Sequence, residues 1–148
     1  MAETYSDETD GRLDVSGRAQ IPSQIYRATL KRIRATIPYD GQASGDTVVL
    51  GELPPGAVFA FGVINATATA GASATIAIGT AESAAKYRAA AVFTTADTPT
   101  LFGKAAAVGS AADPLTAPER VIATVGTAAL PTSADYMVVD LYYSGDAA

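Results

Sequence analysis

The sequence predicts an all-β protein. Residues 28–148 read as an antiparallel β-sandwich, jelly-roll-like, behind an extended N-terminal arm of residues 1–27, with at most one short helix. Three observations carry this. Short runs alternate apolar and polar residues with period two, as half-buried strands do. Turns containing Gly or Pro separate those runs. The apolar content is high but built from small side chains: 49% of the 148 residues are hydrophobic, 32 are Ala and none is Trp. A single domain of this length can hold a core without cross-links, and the chain has no Cys to make them.

Residues 1–27 are polar, contain Gly11, Gly17 and Pro22, and hold no sustained period. Such a segment buries too little apolar area to fold alone and would order only against a partner. Gln24–Pro38 has Leu30, Ile33 and Ile37 at helical spacing, and Arg27, Lys31 and Arg34 as well. Its β-branched residues and the stop at Pro38 favour a strand. Asp40–Asp46 is a Gly-containing loop, and Thr47–Glu52 is a short strand. Leu53-Pro54-Pro55-Gly56 is a turn, because Pro presets φ and Gly supplies the positive φ that follows.

Ala57–Ile64 returns as a strand, with Phe59 and Phe61 expected on one face and Val58, Ala60 and Gly62 on the other. Ser73–Gly79 alternates again, Ala74, Ile76 and Ile78 against Thr75 and Ala77. Ala81–Val92 is the one helix candidate: it is Ala-rich, follows Thr80 as an N-cap, and sets Glu82 four residues before Lys86. Phe93–Pro118 is loose, with a short strand near Leu101. Arg120–Thr127 is a strand with Val121, Ala123 and Val125 on one side. After a turn at Leu130–Asp135, Tyr136–Tyr143 closes the chain. It sets Met137, Val139, Leu141 and Tyr143 on one face and Val138, Asp140 and Tyr142 on the other.

Charge is unevenly placed. Met1–Asp14 has five acids against Arg12, Val15–Tyr39 has five bases and no acid, and Asp40–Ala148 has ten acids against four bases. The bases Arg18, Arg27, Lys31, Arg32 and Arg34 form a segment suited to an acidic partner, or else one solvated face. The net charge of −5 disfavours non-specific nucleic-acid binding. The acidic start has no apolar run and does not read as a signal peptide. The uncharged stretch Leu53–Ala81 holds prolines, glycines and alternating Thr and Ser, so it reads as strands and a turn rather than a membrane span.

The chain has no His and no Cys, which removes imidazole and thiol catalysis and the usual zinc and copper sites. The nucleophile elbow Gly-x-Ser-x-Gly is absent, and so are the cofactor patterns Gly-x-Gly-x-x-Gly and the phosphate loop. Ser83-Ala84-Ala85-Lys86 fits Ser-x-x-Lys but lacks the companion motifs. Asp40 with Asp46, and Asp135 with Asp140, could pair for glycoside hydrolysis, and the first pair with Ser44 could bind Ca²⁺. Acids in Gly-rich loops are far more often turn formers. Tyr136, Tyr142 and Tyr143 form the aromatic cluster, suited to a subunit contact or to stacking on a sugar.

The stretch Gly45-Asp46-Thr47-Val48-Val49-Leu50-Gly51-Glu52-Leu53-Pro54-Pro55-Gly56-Ala57-Val58-Phe59 resembles the capsid decoration, or cement, proteins of tailed bacteriophages. Ala74-Thr75-Ile76-Ala77-Ile78-Gly79-Thr80-Ala81, Arg120-Val121-Ile122-Ala123-Thr124-Val125-Gly126 and the strand Tyr136–Tyr143 continue the resemblance in order. It spans residues 45–143, and the order and spacing of the pieces carry it. The resemblance implies a sandwich or jelly-roll-like body, a homotrimer, and a place on the outer surface of the virion. There it would bridge subunits of the major capsid protein, with no enzymatic activity; the expectation of no cofactor, nucleic acid or membrane rests on the motifs, charge and hydropathy above. It carries over no individual contact residue, so the basic segment rests on charge alone. The alternative class is a carbohydrate-binding or adhesive surface module using Tyr142 and Tyr143. A hydrolase using the Asp pairs ranks behind both.

Overall fold

Period-two alternation and the Pro/Gly turns resolve into eight strands: β1 Lys31–Asp40, β2 Thr47–Leu53, β3 Val58–Ala66, β4 Thr75–Gly79, β5 Arg88–Val92, β6 Thr100–Phe102, β7 Glu119–Gly126 and β8 Thr132–Ser144. The structure, a computed structural model, describes residues 29–103 and 114–145. The arm expected at 1–27, with Arg18 and Arg27, lies outside the described residues.

The strands form two four-stranded antiparallel sheets, ordered β1-β8-β3-β6 and β2-β7-β4-β5. The pairs β1·β8, β2·β7, β3·β6 and β4·β5 are those of one long hairpin folded between β4 and β5. Rolling that hairpin adds β3·β8 and β4·β7 and splits it into two facing sheets. This is the eight-stranded jelly-roll order.

Between the sheets lies a dry layer of Leu53, Ile64, Ile76, Ile78, Val121, Met137, Val139 and Leu141, each essentially fully buried. Every such side chain contributes about 1.5–3 kcal/mol through burial. The alternation expected in β7 and β8 is the one observed: Val121, Ala123 and Val125, then Met137, Val139 and Leu141, face the core. The turn after β2 also forms as expected. Ala57 N–H donates to Pro54 O at 3.1 Å, and Gly56 takes φ +80°. At the other end of the sandwich the buried Tyr39 donates its hydroxyl to Ala68 O at 2.7 Å, tying β1 to the loop after β3.

Three expectations are corrected. Ala81–Val92 is not a helix: Thr80–Tyr87 is a chain of turns, and Arg88–Val92 is strand β5. Alanine's helix propensity is worth only tenths of a kcal/mol per residue, and a helix of this length is marginal alone. Burying the Tyr87 ring against Phe59, with centroids 4.3 Å apart, and hydrogen-bonding β5 to β4 outweigh it. Thr80 still caps, but it caps a turn: its Oγ1 accepts from Ser83 N–H at 3.1 Å.

Phe59 and Phe61 do not share a face. The β3·β8 register slips between them, so Phe59 lies opposite Tyr143 and Phe61 opposite Tyr142. The extra residue is a β-bulge, and it turns Phe59 inward and Phe61 outward. Gly62 then faces the core, where the Phe102 ring fills the space a side chain would need; a Cβ there would lie 2.1 Å from it. Leu130–Asp135 is not wholly a turn either, because β8 already begins at Thr132, with an irregular register opposite the end of β1.

Candidate functional site

The register of β1·β8·β3·β6 sets the outward residues of this sheet in cross-strand rows. Arg32, Tyr142 and Phe61 form one row, and Arg34, Asp140, Val63 and Leu101 the next. Thr36, Val138 and Asn65 follow, and Pro38 with Tyr136 completes the face. Residues in such rows touch, so their identities decide what the face can do.

In the first row the Tyr142 ring stacks on Phe61, centroids 4.7 Å apart at 19°. In the second, the Asp140 carboxylate accepts from Arg34 Nε and Nη2, both at 2.8 Å. This two-pronged pairing is geometrically specific. Asp140 is only 6% exposed although it points away from the core, because the arginine lies over it. The Arg34 hydrogen bond holds the Asp140 carboxyl below the usual carboxylate range against the upward pull of burial, and the charges of Arg34 and Arg32 help. Arg34 is raised in turn by its bond to Asp140. Leu101, on edge strand β6, is the most exposed large apolar residue described, at 71%.

The structure separates the residues singled out by sequence. Arg32 and Arg34 share the outward face, whereas Lys31 alternates onto the side of Ile33, opposite Tyr143. Arg34 is engaged by Asp140, which leaves Arg32 as the basic residue of the face whose charge no described carboxylate binds directly. Tyr143 packs against the core, so the three tyrosines are not one platform. Tyr136 and Tyr142 share the outward face but lie six residues apart on β8, about 20 Å.

Sequence reasoning missed Asp140 as the partner of Arg34 and Phe61 as the partner of Tyr142. Nothing local reports either pairing, and only the β1·β8·β3 register could have found them. Two of the candidate acids, Asp46 and Asp135, are held by neighbouring donors. Asp46 Oδ2 accepts from Ala43 N–H at 2.8 Å, and Asp135 accepts from Ser133 and Thr67 hydroxyls. Among the described residues no group of three His, Cys, Asp or Glu side chains could hold a metal ion.

Charge is sorted along the sandwich. One end carries Asp40, Asp46, Asp97 and Asp135 at its loops and strand ends, with no described base. Lys31, Arg32, Arg34, Lys86 and Arg120 lie in the other half, where β1 enters, while Arg88, the remaining described base, folds back along β5 and donates to the Ile76 and Ala91 carbonyls. At that end Glu119 accepts from both the Tyr87 hydroxyl and Lys86 Nζ, and Arg120 lies across from Glu52.

No family model and no curated protein matches the chain. Solved structures do. A chain of the Cyanophage Pam1 capsid asymmetric unit superimposes with a TM-score of 0.65 at 18% identity, over 99% of this chain and 100% of that one. A chain of the capsid of Ralstonia phage GP4 superimposes with a TM-score of 0.57 at 19% identity, over 82% of this chain and 86% of that one. At such identities the likeness is one of fold, and the fold shared with both capsid chains is this jelly roll.

Proposed function

We propose that this chain is a structural protein of a phage head: a decoration, or cement, protein that binds the outside of the shell and bridges neighbouring subunits of the major capsid protein. The observation that carries the reading is the likeness in fold, over nearly the whole chain, to a chain of a phage capsid. The order of sequence pieces between residues 45 and 143 supports it independently.

The sorting of charge suggests how the body sits. Its basic half, continuous with the basic segment around Arg18 and Arg27, faces acidic surface on the shell, and the acidic loop end faces outward. Residues 1–27 act as an arm that orders on the shell, adding contact area once the sites exist. A homotrimer suits the reading, because three weak contacts on a repeating lattice give avidity. Turnover is no part of the role, and Asp46 and Asp135, one from each candidate pair, are held by neighbouring donors.

The test is uptake. Purified mature heads lacking this chain are incubated with it at rising concentration, washed, and the bound protein counted. Saturable uptake at a fixed number of copies per head is expected, with the chain visible outside the shell by electron microscopy. Heads that take up none, or take it up without limit, would refute the reading.

A further inference from the structure

The outward face holds a second feature, towards its acidic end. The β5–β6 loop folds over the β3 and β8 rows and leaves an open hollow of about 320 Å³. Its apolar surface comes from Val63, Val138 and Pro99, with Tyr136, 43% exposed, at one side.

Hydrogen-bond accounting leaves groups open in this hollow. Arg34 spends Nε and Nη2 on Asp140, and its Nη1 hydrogens have no partner among the described residues. Asn65 Oδ1 accepts from Ala66 N–H at 2.9 Å, which leaves the Asn65 amide hydrogens to donate. The Asp97 carboxylate has no partner among the described residues. Its backbone is held left-handed, at φ +51°, by its N–H donating to Ala66 O at 2.9 Å. Thr67, by contrast, is fully used: its hydroxyl accepts from Tyr136 N–H at 3.0 Å and donates to Asp135, which fixes Tyr136 at the rim.

The hollow therefore pairs donors (Arg34, Asn65) with an acceptor (Asp97) above an apolar floor and beside an aromatic ring. The Arg34 charge is cancelled by Asp140 and Asp97 adds a negative one, so an anion is disfavoured. A neutral ring with adjacent hydroxyls, each both donor and acceptor, and with an apolar C–H face meets every requirement. The volume, at the small end of ligand pockets, suits one or two such rings. We propose that this hollow is a saccharide-binding site, with Tyr136 as the stacking surface and Asp97, Asn65 and Arg34 as the hydroxyl ligands.

The experiment is amide NMR of the full ¹⁵N-labelled chain titrated with methyl pyranosides of glucose, galactose, mannose and N-acetylglucosamine, each alone. At least one sugar is expected to shift the amides of Asn65–Thr67, Asp97 and Tyr136–Asp140 saturably and to leave β4, β5 and β7 still. Tyr136→Ala should weaken that affinity by about tenfold or more, and Asp97→Asn, which tolerates the same backbone, by several-fold. Tyr142→Ala, outside the hollow, should not change it. No saturable shift with any of the four sugars would overturn the proposal, as would shifts undiminished in Asp97→Asn. The inference stands apart from the shell role: heads that refuse the chain leave the sugar titration unaffected, and a chain blind to sugars can still coat heads.

Discussion

Asp140 is a carboxylate on the outward face of a sheet, yet it is nearly as buried as the core. Arg34 makes that tolerable by lying across it and donating twice. The arrangement has a signature in pH. Because the folded Asp140 titrates below its ordinary range, its contribution to stability is present above that range and is lost as pH falls through the depressed value. Arg34→Met keeps the aliphatic cover but removes the charge and both donors, leaving a shielded carboxylate unpaired. The variant should therefore be clearly less stable than wild type at neutral pH, and the gap should narrow at acid pH, once the pH has fallen through the depressed Asp140 value. Urea denaturation at the two pH values checks this; an equal gap at both would mean that Arg34 acts through packing alone. None of this was legible in the sequence, where Arg34 and Asp140 stand 106 positions apart and the arginine reads simply as one of a basic run. What could be read was parity: Asp140 shares the non-core side of β8 with Val138 and Tyr142.

At the scale of elements, the sequence was most legible where one face is buried and the other wet. The core positions of β7 and β8 follow directly from alternation, since slipping either strand by one residue would expose its whole apolar set. Legibility failed where tertiary contacts reverse a weak local preference. The β3 bulge is invisible in Phe59-Ala60-Phe61, which alternates well as written; only the β8 register shows the extra residue. The segment Thr80–Tyr87 failed for a different reason. Its alanines favour helix slightly, but the Tyr87 hydroxyl and Lys86 reach Glu119 at the start of β7, and that attachment holds the β4–β5 connection to the neighbouring strand at the same end of the sheet. Burial and the Glu119 carboxylate both push the Tyr87 hydroxyl upward, so it remains a donor at any ordinary pH. Tyr87→Phe keeps the ring on Phe59 and removes only the hydroxyl. It should cost about 1.5–3 kcal/mol, the range for a hydrogen bond to a charged group, measured by urea unfolding. Hydrogen exchange should rise in 80–92 before it rises in β7. A loss within error would mean that Lys86 alone satisfies Glu119.

Across the whole molecule, the basic segment was visible in the sequence from the start, but its counterpart was not. Asp40, Asp46, Asp97 and Asp135 are scattered through the chain and meet at one end only because the jelly roll brings the loops after β1, β5 and β7 together. The result is a body with a direction. If the basic half meets the shell, Arg32 is the residue best placed to report it, because it faces outward and is not held by a carboxylate as Arg34 is. Arg32→Glu should then weaken attachment to heads by about tenfold at low salt, with the difference shrinking as salt screens the contact. Asp135→Lys, an opposite reversal at the far end, should leave attachment unchanged, which separates a docked end from a general effect of net charge. Arg32 is exposed, so Arg32→Glu should keep the wild-type unfolding midpoint within a small margin; Asp135→Lys gives up the bonds from the Ser133 and Thr67 hydroxyls, so its attachment is compared below its own unfolding midpoint. Equal loss in the two variants would mean that overall charge governs attachment. Loss only in Asp135→Lys would turn the body over, placing the acidic loops and the hollow against the shell. The salt series distinguishes a third case. If attachment is tight and insensitive to salt in every variant, the contact is apolar, and Leu101 with the Phe61–Tyr142 stack becomes the surface that makes it.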